Sequence, residues 1–435
     1  MPPLVEATSA FKGVIDQSTE SLQRIRRILE AVGSPLEALA ASGSRFVHVT
    51  GTNGKGTVCA GLAAKLRQFR VGTFTSPCQR WPNDQISVNG DSIPAAGYER
   101  ELQRIMEEAR KEGEVGLTDF EATTIAAFSW FAKMRPLDFV IIEVGMGGRE
   151  DATNVLPSTD VAVLTGVALD HTNFLGPTLE DICSAKCGII TPHTRTAVVS
   201  GAYVNASCLD IVQDRCALTG TDFRVVEGSA DSDDYKGHYA ALEDEIMKAL
   251  GVSDDQKSRL SGPGKHLELR GRQELIQHPL DPYPSHDTRR SLAHFIQQTL
   301  EGQPEITEVL ADTRTDLNPL RFIVALSGGR IPSELFPLFL KPFAVPTTGV
   351  YTTTFRDVPQ MPWVKAVDPT EAAKAAQQCL PSTKIIEPVE DLTTALKRSI
   401  HPNTDVTHRP LVVVCGSLYL VREYLLLLDE GLLEI

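Results

Sequence analysis

The sequence predicts an α/β protein in which a mostly parallel sheet is covered by helices on both faces. Short apolar runs rich in β-branched residues, such as 137–145 and 160–167, alternate with longer segments of helical periodicity. Another apolar run, 45–51, leads into the glycine-rich sequence GTNGKGT at 51–57. With 435 residues the chain also exceeds the usual size of one hydrophobic core, so we expect two domains.

The elements of the first half follow from their periodicity and from the residues that interrupt them. An amphipathic helix comes first because apolar residues recur at helical spacing, and the glycine loop separates the first strand from the next helix. In order, we expect a helix at 19–32, a strand at 45–51, a helix from about Val58, a strand at 71–75, helices at 96–113 and 120–134, and strands at 137–145 and 160–167.

Residues 228–265 differ in composition from the segments on either side. They are acidic and rich in glycine, which predicts a surface excursion followed by a linker. The α/β alternation resumes afterwards in four segments: 272–278, 289–302, 321–329 and 409–428. We therefore place the domain boundary near Gly264, with a first domain at 1–264 and a second at 265–435.

Charge and cysteine content exclude several classes of protein. The formal net charge of −14 argues against a nucleic-acid-binding surface, although an anionic ligand needs only a local positive site. The eight cysteines include no CxxC pair, which predicts reduced thiols and no zinc site. The sequence offers neither a secretory signal nor an apolar run of membrane-spanning length. We expect a cytoplasmic protein that does not bind membranes.

The GTNGKGT sequence has the residues of a phosphate-binding loop. Gly51, Gly54 and Gly56 allow backbone conformations that let N–H groups converge on phosphate oxygens at the start of a helix. Lys55 adds a mobile positive charge and Thr57 a hydroxyl group. The spacing is not the common GxxxxGK[ST], because Gly56 follows the lysine. The alternative is a tight turn with a surface lysine.

A carboxylate lies at the predicted exit of a buried strand, in IIEVGMGGREDATN at 141–154. Ligands of open α/β sheets bind at this edge, and a buried carboxylate needs a cation or hydrogen-bond donors. Glu143 is therefore a candidate magnesium ligand. It could equally cap the following turn or pair with Arg149, and the residues alone do not decide between these roles.

Two further candidates lie in VALDHTNFLGPTLEDICSAKCGI at 167–189. His171 follows a strand and is either a metal ligand or a structural polar group. Lys186 lies between Cys183 and Cys187 on what reads as a buried helix. A buried lysine needs a partner or a modification, whereas a lysine at the helix surface would need neither.

Taken in order, these motifs resemble those of the folylpolyglutamate synthase and dihydrofolate synthase family, which belongs to the Mur-ligase superfamily. The similar stretches are HVTGTNGKGT, FTSP, TDFEATTIAAF, IIEVGMGGREDATNV, LDHTNFLGPTLEDICSAKCGI and VVVCGSLYLV. The segments MPWVKAVDP and RPLVVVCGSLYLV are most similar to dihydrofolate synthases of fungi. The resemblance implies a P-loop-containing, Mur-ligase-like central domain with a parallel sheet, and a smaller C-terminal α/β domain.

The resemblance also implies roles for individual residues. Gly54, Lys55, Gly56 and Thr57 would bind the triphosphate of ATP. The implied magnesium ligands are Ser76, Glu143 and His171, and K⁺ could bind as well. Lys55, His171 and Lys186 would serve catalysis, with Lys186 at the position of a carbamylated lysine. Residues expected to line the substrate pocket are Phe120, Glu121, Ala122, Thr123, Glu150, Asp151 and Ala152.

The second domain departs from the family pattern. Arg272 matches a nucleotide-binding arginine, and Asp281 matches the first residue of a DGAHN motif. The rest of that motif reads PYPS at 282–285, whose two prolines lack backbone donors. An HQ..N motif is not recognisable in YKGHYAALEDEI, and TSPC stands where TSPH is usual.

The family reaction is the ATP- and magnesium-dependent joining of L-glutamate to a pteroate through an acyl phosphate. For this chain the resemblance favours dihydropteroate as the acid, which would yield dihydrofolate. Three alternatives remain open: addition of glutamate to folates, a nucleotide-binding paralogue without ligase activity, and a ligase for another acid. The expected partners are these small molecules, for a monomer in the cytoplasm, with a mitochondrial pool left open.

Overall fold

The computed structural model divides the chain into two compact units, Met1–Leu269 and Arg270–Ile435. It describes residues 19–78, 80–114, 116–228, 235–252, 277–278, 281–282, 285–286, 320–328, 330–340, 347–356, 358, 364–383, 385–400 and 411–429. The predicted boundary near Gly264 falls outside these residues and stays a prediction.

Both units consist of strands alternating with helices. The described helices are α1 Thr19–Ala31, α2 Pro35–Ala41, α3 Lys55–Lys65, α4 Ala95–Lys111, α5 Asp119–Lys133, α6 Thr172–Leu175, α7 Leu179–Lys186, α8 Ala206–Thr219, α9 Tyr235–Ala249, α10 Pro332–Phe339, α11 Pro369–Cys379, α12 Leu392–Ile400 and α13 Leu418–Asp429. The strands of the first unit are β1 Arg45–Thr50, β2 Val71–Phe74, β3 Ile86–Val88, β4 Asp91–Ser92, β5 Phe139–Glu143, β6 Thr159–Leu164, β7 Thr194–Ser200 and β8 Asp222–Val226. Those of the second are β9 Gln277–His278, β10 Asp281–Pro282, β11 Ser285–His286, β12 Leu320–Val324, β13 Thr347–Thr352, β14 Ile385–Pro388 and β15 Leu411–Cys415.

The first unit is built on an eight-stranded sheet in the order β4-β3-β2-β5-β1-β6-β7-β8. Strands β2, β5, β1, β6, β7 and β8 are parallel, and at one edge β3 pairs antiparallel with β2 and β4 pairs antiparallel with β3. Because parallel strands end at the same edge of a sheet, the segments after β2, β5, β1 and β6 lie side by side. This edge brings together the glycine loop, Ser76, Glu143 and the segment that contains His171.

Alternating side chains of the central strands fill a core on each face of this sheet. On β1, Phe46 belongs to the cluster formed with α1, α2, α4 and α5, whereas Val47 and Val49 belong to the cluster formed with α3 and α9. Such coverage explains why the strands read as nearly continuous apolar runs. His48 shares the face of Phe46 and is 1% exposed, which makes it a polar residue in an apolar position.

The second unit contains a five-stranded sheet in the order β11-β15-β12-β13-β14, in which all paired strands are parallel. Helices α10 and α11 pack on one face and α12 and α13 on the other, each over its own apolar cluster. The α/β fold class predicted for both parts of the chain is confirmed. The predicted helix at 289–302 lies outside the described residues.

Two predictions of local structure are wrong. The helix after the glycine loop begins at Lys55 rather than near Val58, because Gly54, at φ 82°, already serves as its N-cap. The segment 228–265 is not simply a surface excursion, because it contains helix α9. Leu242, Ile246 and Met247 of α9 are buried against the sheet, whereas the side chains of Asp244 and Glu245 are partly exposed. The predicted linker after it lies outside the described residues.

The eight cysteines are all free thiols in buried positions. Within the described ranges, no helix is both long and apolar enough to cross a membrane.

Candidate active site

The candidate site lies at the carboxyl edge of the first sheet, where four neighbouring strands end. The glycine loop follows β1, Ser76 follows β2, Glu143 is the last residue of β5, and His171 lies in the segment after β6. Strand order alone therefore places residues that are more than a hundred positions apart in the chain at one edge.

The glycine loop is held in a conformation that only glycine adopts easily. Gly54 has φ 82°, which lies in the left-handed region that residues with a Cβ atom adopt only at an energetic cost. Gly51 packs so closely on Thr165 that a Cβ atom there would overlap the threonine hydroxyl. That hydroxyl donates to the carbonyl of Asn53 at 2.5 Å, and the N–H of Thr52 donates to the carbonyl of Gly166 at 2.9 Å. The loop is thus fastened to the segment after β6.

Lys55 begins α3 and lines a cleft at this edge of the sheet. Its Nζ lies 3.1 Å from the carbonyl oxygen of Gly51, which it donates to. The cleft is lined by the glycine loop, by residues 144–147, and by Asp170, His171 and Lys186. The N-terminus of a helix and a lysine at one cleft make an anion-binding site.

Lys186 is the second cation of this cleft, at the end of α7. It is 5% exposed, and burial together with the nearby charge of Lys55 lowers the pKa of Lys186 to about 7. Asp170 and Asp151 act in the opposite direction on that pKa. A substantial fraction of the amine is therefore neutral near pH 7, and a neutral amine is nucleophilic.

Glu143 has the position expected of a metal ligand but is also part of the local structure. The carboxylate is 2% exposed, and its Oε2 accepts a hydrogen bond from the backbone N–H of Ser76 at 3.0 Å. Among the described residues, no three His, Cys, Asp or Glu side chains form a group that could hold a metal ion. Mg²⁺ is usually bound by one or two carboxylates together with phosphate oxygens and water, so a single buried carboxylate fits it.

His171 is held at the cleft in an unusual backbone conformation. It is a non-glycine residue with φ 52° at the start of the short helix α6, and its side chain is half-exposed. Its Nε2 lies 3.8 Å from Asp170 Oδ2. A strained, accessible imidazole lining a cleft is typical of a functional position.

Of the residues expected to line the substrate pocket in the first segment, 120–123, Phe120 contacts the wall of the cleft, and the others are internal. Phe120 packs against Gly145 of the cleft wall, since a Cβ atom on that glycine would overlap its ring. Glu121 is 2% exposed and accepts hydrogen bonds from Ser21 and from the guanidinium of Arg24, the latter at 2.5 Å. It therefore ties α1 to α5. Ala122 and Thr123 are buried in the same helix.

The second expected segment is likewise mostly internal. Glu150 is partly exposed, whereas Ala152 is 6% exposed and Asp151 is 3% exposed. Asp151 accepts hydrogen bonds from the backbone N–H groups of Met146 and Thr153. Substrate contact by these residues stays a prediction.

The expected nucleotide contacts of the second unit also stay predictions. Arg272 lies outside the described residues. Asp281 lies in β10, whose antiparallel pairing with β9 places it opposite His278. Pro282 pairs with Gln277, and Ser285 pairs with Val414 of β15. The remaining residues of the altered motif, at 283–284, are outside the described ranges.

The sequence analysis missed two features of the site. Tyr239 of α9 packs directly on Gly54, and no local signal distinguishes it from any other residue of an acidic helix. The analysis also did not single out His48 and Thr153, whose side chains are hydrogen-bonded at 2.8 Å. A histidine inside an apolar strand was the available signal.

Comparison with known proteins shows the family of the chain. The profile of the Mur ligase middle domain matches residues 49–206, and that of the dihydrofolate synthetase C-terminal domain matches residues 298–427. The dihydrofolate synthetase of Saccharomyces cerevisiae is 31% identical over 434 residues, which cover 93% of this chain and 96% of the yeast protein. The chain belongs to the dihydrofolate synthase and folylpolyglutamate synthase family.

Within this family the length of the matched region differs between relatives. The dihydrofolate synthase/folylpolyglutamate synthase of Escherichia coli is 40% identical, but only over 172 residues, or 39% of each chain. The yeast relative, by contrast, aligns along nearly the whole chain. The similarity to fungal dihydrofolate synthases that the sequence predicted is therefore confirmed along nearly the whole chain.

Solved structures of the family share the fold. The Mycobacterium tuberculosis folylpolyglutamate synthase complexed with ADP has a TM-score of 0.72 at 22% identity and covers 97% of this chain and 96% of its own. The Yersinia pestis bifunctional enzyme complexed with AMPPNP and Mn has a TM-score of 0.69 at 21% identity, with 94% and 93% covered.

Proposed function

We propose that the chain is an ATP-dependent ligase that joins L-glutamate to dihydropteroate and so forms dihydrofolate. The observation that carries the proposal is the cleft in which the N-terminus of α3, Lys55 and Lys186 converge. A full-length relative named dihydrofolate synthetase supports the choice of acid.

The chemistry requires two consecutive transfers. A carboxylate oxygen of dihydropteroate attacks the γ-phosphorus of ATP, ADP leaves, and an acyl phosphate forms. The amine of glutamate then attacks the acyl carbon, the amide bond forms, and inorganic phosphate leaves with the carboxylate oxygen. Both steps concentrate negative charge on phosphate oxygens, which the N–H groups of the glycine loop and Lys55 are placed to stabilise.

A divalent metal ion fits the same edge of the sheet. Glu143 and Ser76 are adjacent and offer oxygen ligands, and His171 lines the cleft together with Val144, the residue after Glu143. When bound, Mg²⁺ would neutralise charge on the phosphates. The protein's own contribution is to hold the carboxylate of Glu143 in place through the Ser76 N–H.

Lys186 has the chemistry required for carbamylation, which the family resemblance suggests. Its neutral amine can attack CO₂ to give a carbamate with release of one proton, and the pKa of about 7 makes that form available. The resulting anion would lie in the cleft that Lys55 also lines. Burial would protect it from exchange with solvent.

The main alternative is extension of folates by further glutamates, and the two activities differ in their products. Purified protein is incubated with magnesium-ATP, L-glutamate and dihydropteroate, and in parallel with tetrahydrofolate, and ADP and products are followed by mass spectrometry. We expect one added glutamate on dihydropteroate. A ladder of glutamates on tetrahydrofolate would instead establish the polyglutamate synthase.

ATP binding without any product would identify a paralogue that has lost the activity. The proposal also includes a monomer that acts in the cytoplasm, with K⁺ as an additional ion in the site. Light scattering and activity with and without K⁺ test these points.

A further inference from the structure

Three polar side chains form a hydrogen-bonded chain behind the cleft, and no step of the proposed reaction uses it. The Nε2 of His48 lies 2.8 Å from the hydroxyl of Thr153, and that hydroxyl lies 2.5 Å from Oδ1 of Asp151. The three residues are 1%, 0% and 3% exposed, respectively. Buried polar groups of this kind are satisfied by one another rather than by water.

The direction of the hydrogen bonds follows from the available protons. Both oxygens of Asp151 accept bonds, because the N–H of Met146 donates to Oδ2 and the N–H and hydroxyl of Thr153 donate to Oδ1. The single hydroxyl proton of Thr153 is therefore used, and its oxygen must accept from His48. His48 consequently carries its proton on Nε2.

The burial of His48 agrees with this arrangement. Burial lowers the pKa of His48 to about 3, which keeps the imidazole neutral. Its Nδ1 is buried and, within the described part of the chain, has no hydrogen-bond partner. Nothing there competes with the bond from Nε2 to Thr153.

This chain of hydrogen bonds connects strand β1 to the wall of the cleft formed by residues 144–147. His48 lies in the middle of β1, opposite Ile142 of β5 and Ala162 of β6. At the other end, Asp151 accepts a hydrogen bond from the N–H of Met146, which lines the same cleft as Lys55. The same strand makes a second hydrogen bond to this wall, from the hydroxyl of Thr50 to the carbonyl of Gly147 at 2.7 Å. That bond holds only Gly147, the residue after Met146.

We propose that His48 and Thr153 are positioning residues that orient Asp151 and thereby hold the 144–147 wall in the geometry that the reaction needs. The inference rests on the proposed ligase function. It assigns a role to two buried side chains that do not line the cleft. Asp151 then acts mainly as the anchor of this wall.

Two pairs of variants separate the hydrogen bond from the shape of the side chain. Thr153→Val keeps the shape and removes the hydroxyl, whereas Thr153→Ser keeps the hydroxyl. His48→Leu removes the donor, whereas His48→Gln retains an N–H donor. Thr196→Val on β7 is the control, because Thr196 is equally buried, at 3% exposed, but lies on a strand remote from the cleft.

The first readout is amide hydrogen exchange of the 144–154 segment by mass spectrometry, which needs no enzymatic activity. We expect faster exchange in that segment for Thr153→Val and His48→Leu, with the serine, glutamine and control variants close to wild type. Unchanged exchange in Thr153→Val overturns the inference, whatever reaction the protein catalyses.

The second readout is turnover of magnesium-ATP, glutamate and dihydropteroate. We expect kcat to fall about 10- to 100-fold in the two disrupting variants, with little change in melting temperature. The double variant should lose no more than the worse single variant, because both residues act through Asp151. Additive losses, or faster exchange with an unchanged kcat, would contradict the role assigned to them.

If wild-type protein shows no ligase activity, the proposed function fails by itself. The affinity for magnesium-ATP then replaces kcat as the functional readout. An affinity that Thr153→Val lowers supports the inference, and an unchanged affinity overturns it.

Discussion

The phenol ring of Tyr239 in α9 fills the space where a Cβ atom on Gly54 would lie. Four positions further along α9, the side chain of Glu243 fills the space where a Cβ atom on Gly61 of α3 would lie. The carboxylate of Glu243 lies 3.2 Å from Nζ of Lys65. Large side chains of α9 thus pack on glycines of the phosphate-loop helix. The loop owes its geometry to a helix almost two hundred residues away in the chain.

Gly54→Ala should weaken ATP binding by about tenfold or more, because the new methyl group meets Tyr239 at the N-cap of α3. Gly43→Ala is the matched control. Its φ of +84° equals that of Gly54 within two degrees, but nothing lies within 4 Å. It should lose about 1–2 kcal/mol of stability with ATP affinity retained. Equal loss of affinity in both variants would refute the packing argument, and Tyr239→Ala should partly restore binding to Gly54→Ala.

Lys55→Ala should lower kcat by roughly 10²- to 10³-fold with the fold retained, since it removes the cation at the start of α3. The control is Lys111→Ala, which removes an exposed lysine paired with Glu108 at 2.8 Å. Steady-state kinetics and circular dichroism measure both effects. A Lys55→Ala enzyme with normal turnover would exclude a phosphate-stabilising role.

Carbamate formation on Lys186 should decrease as the pH falls below about 7, because the lowered pKa leaves the amine protonated there. Protein incubated with ¹³C-bicarbonate should show a carbamate signal by NMR that fades from pH 8 to pH 6. Lys186→Arg should lack the signal at every pH. A signal that persists in this variant would assign the modification to another amine.

Lys186→Ala tests whether the modified side chain supports turnover. We expect its activity to be lost and partly restored by a small carboxylic acid, which replaces the carbamate anion in the vacated space. Activity that is insensitive to added acid would contradict a role for that anion.

Glu143→Gln should raise the magnesium concentration needed for half-maximal activity or abolish activity, because the amide cannot replace an anionic ligand. The variant keeps an oxygen that can accept the Ser76 N–H, so the loop after β2 should remain in place. Titration of activity with Mg²⁺ measures the effect. An unchanged magnesium dependence would assign Glu143 to loop structure alone.

Asp119 makes the stability of the fold depend on pH, and the direction of that dependence follows from its raised pKa. It is 6% exposed, its Oδ1 has no partner within the described ranges, and burial raises its pKa to about 6. The native state therefore holds this proton more tightly than the unfolded chain, so the group's stabilising contribution is present below pH 4 and is lost as the pH rises to about 6.

We expect Asp119→Asn to remove this loss, which we put at about 1–2 kcal/mol after partial screening by solvent. Unfolding by urea at pH 4.5 and pH 7 measures the difference between the variant and wild type. Asp91→Asn on the exposed strand β4 is the control. An equal change in the free energy of unfolding between pH 4.5 and pH 7 for wild type and Asp119→Asn would contradict the assignment.

Much of the site could be predicted because parallel strands bring their carboxyl ends together. The glycine loop, Glu143 and His171 each follow an apolar strand, so their proximity depends only on strand order. Lys186 was recognisable as a buried lysine on a helix, and its burial is confirmed.

Contacts between distant segments could not be predicted in this way. Glu121 reads as a pocket residue, yet its carboxylate bonds Arg24, which lies 97 positions earlier. The link between His48 and Thr153 spans 105 positions. Helix α9 was missed because the segment that contains it, 228–265, is acidic and rich in glycine, although the buried residues of the helix have helical spacing. Pairings of this kind depend on tertiary packing, which overrides local composition.

The central claim, that this cleft joins glutamate to dihydropteroate through an acyl phosphate, is tested most directly by isotope transfer. Dihydropteroate labelled with ¹⁸O in both carboxylate oxygens is incubated with magnesium-ATP and L-glutamate, and phosphate and product are analysed by mass spectrometry. The account predicts dihydrofolate with one ¹⁸O in the amide carbonyl and one ¹⁸O in the phosphate released. Dihydrofolate accompanied by unlabelled phosphate, or ADP formation without dihydrofolate, would contradict it.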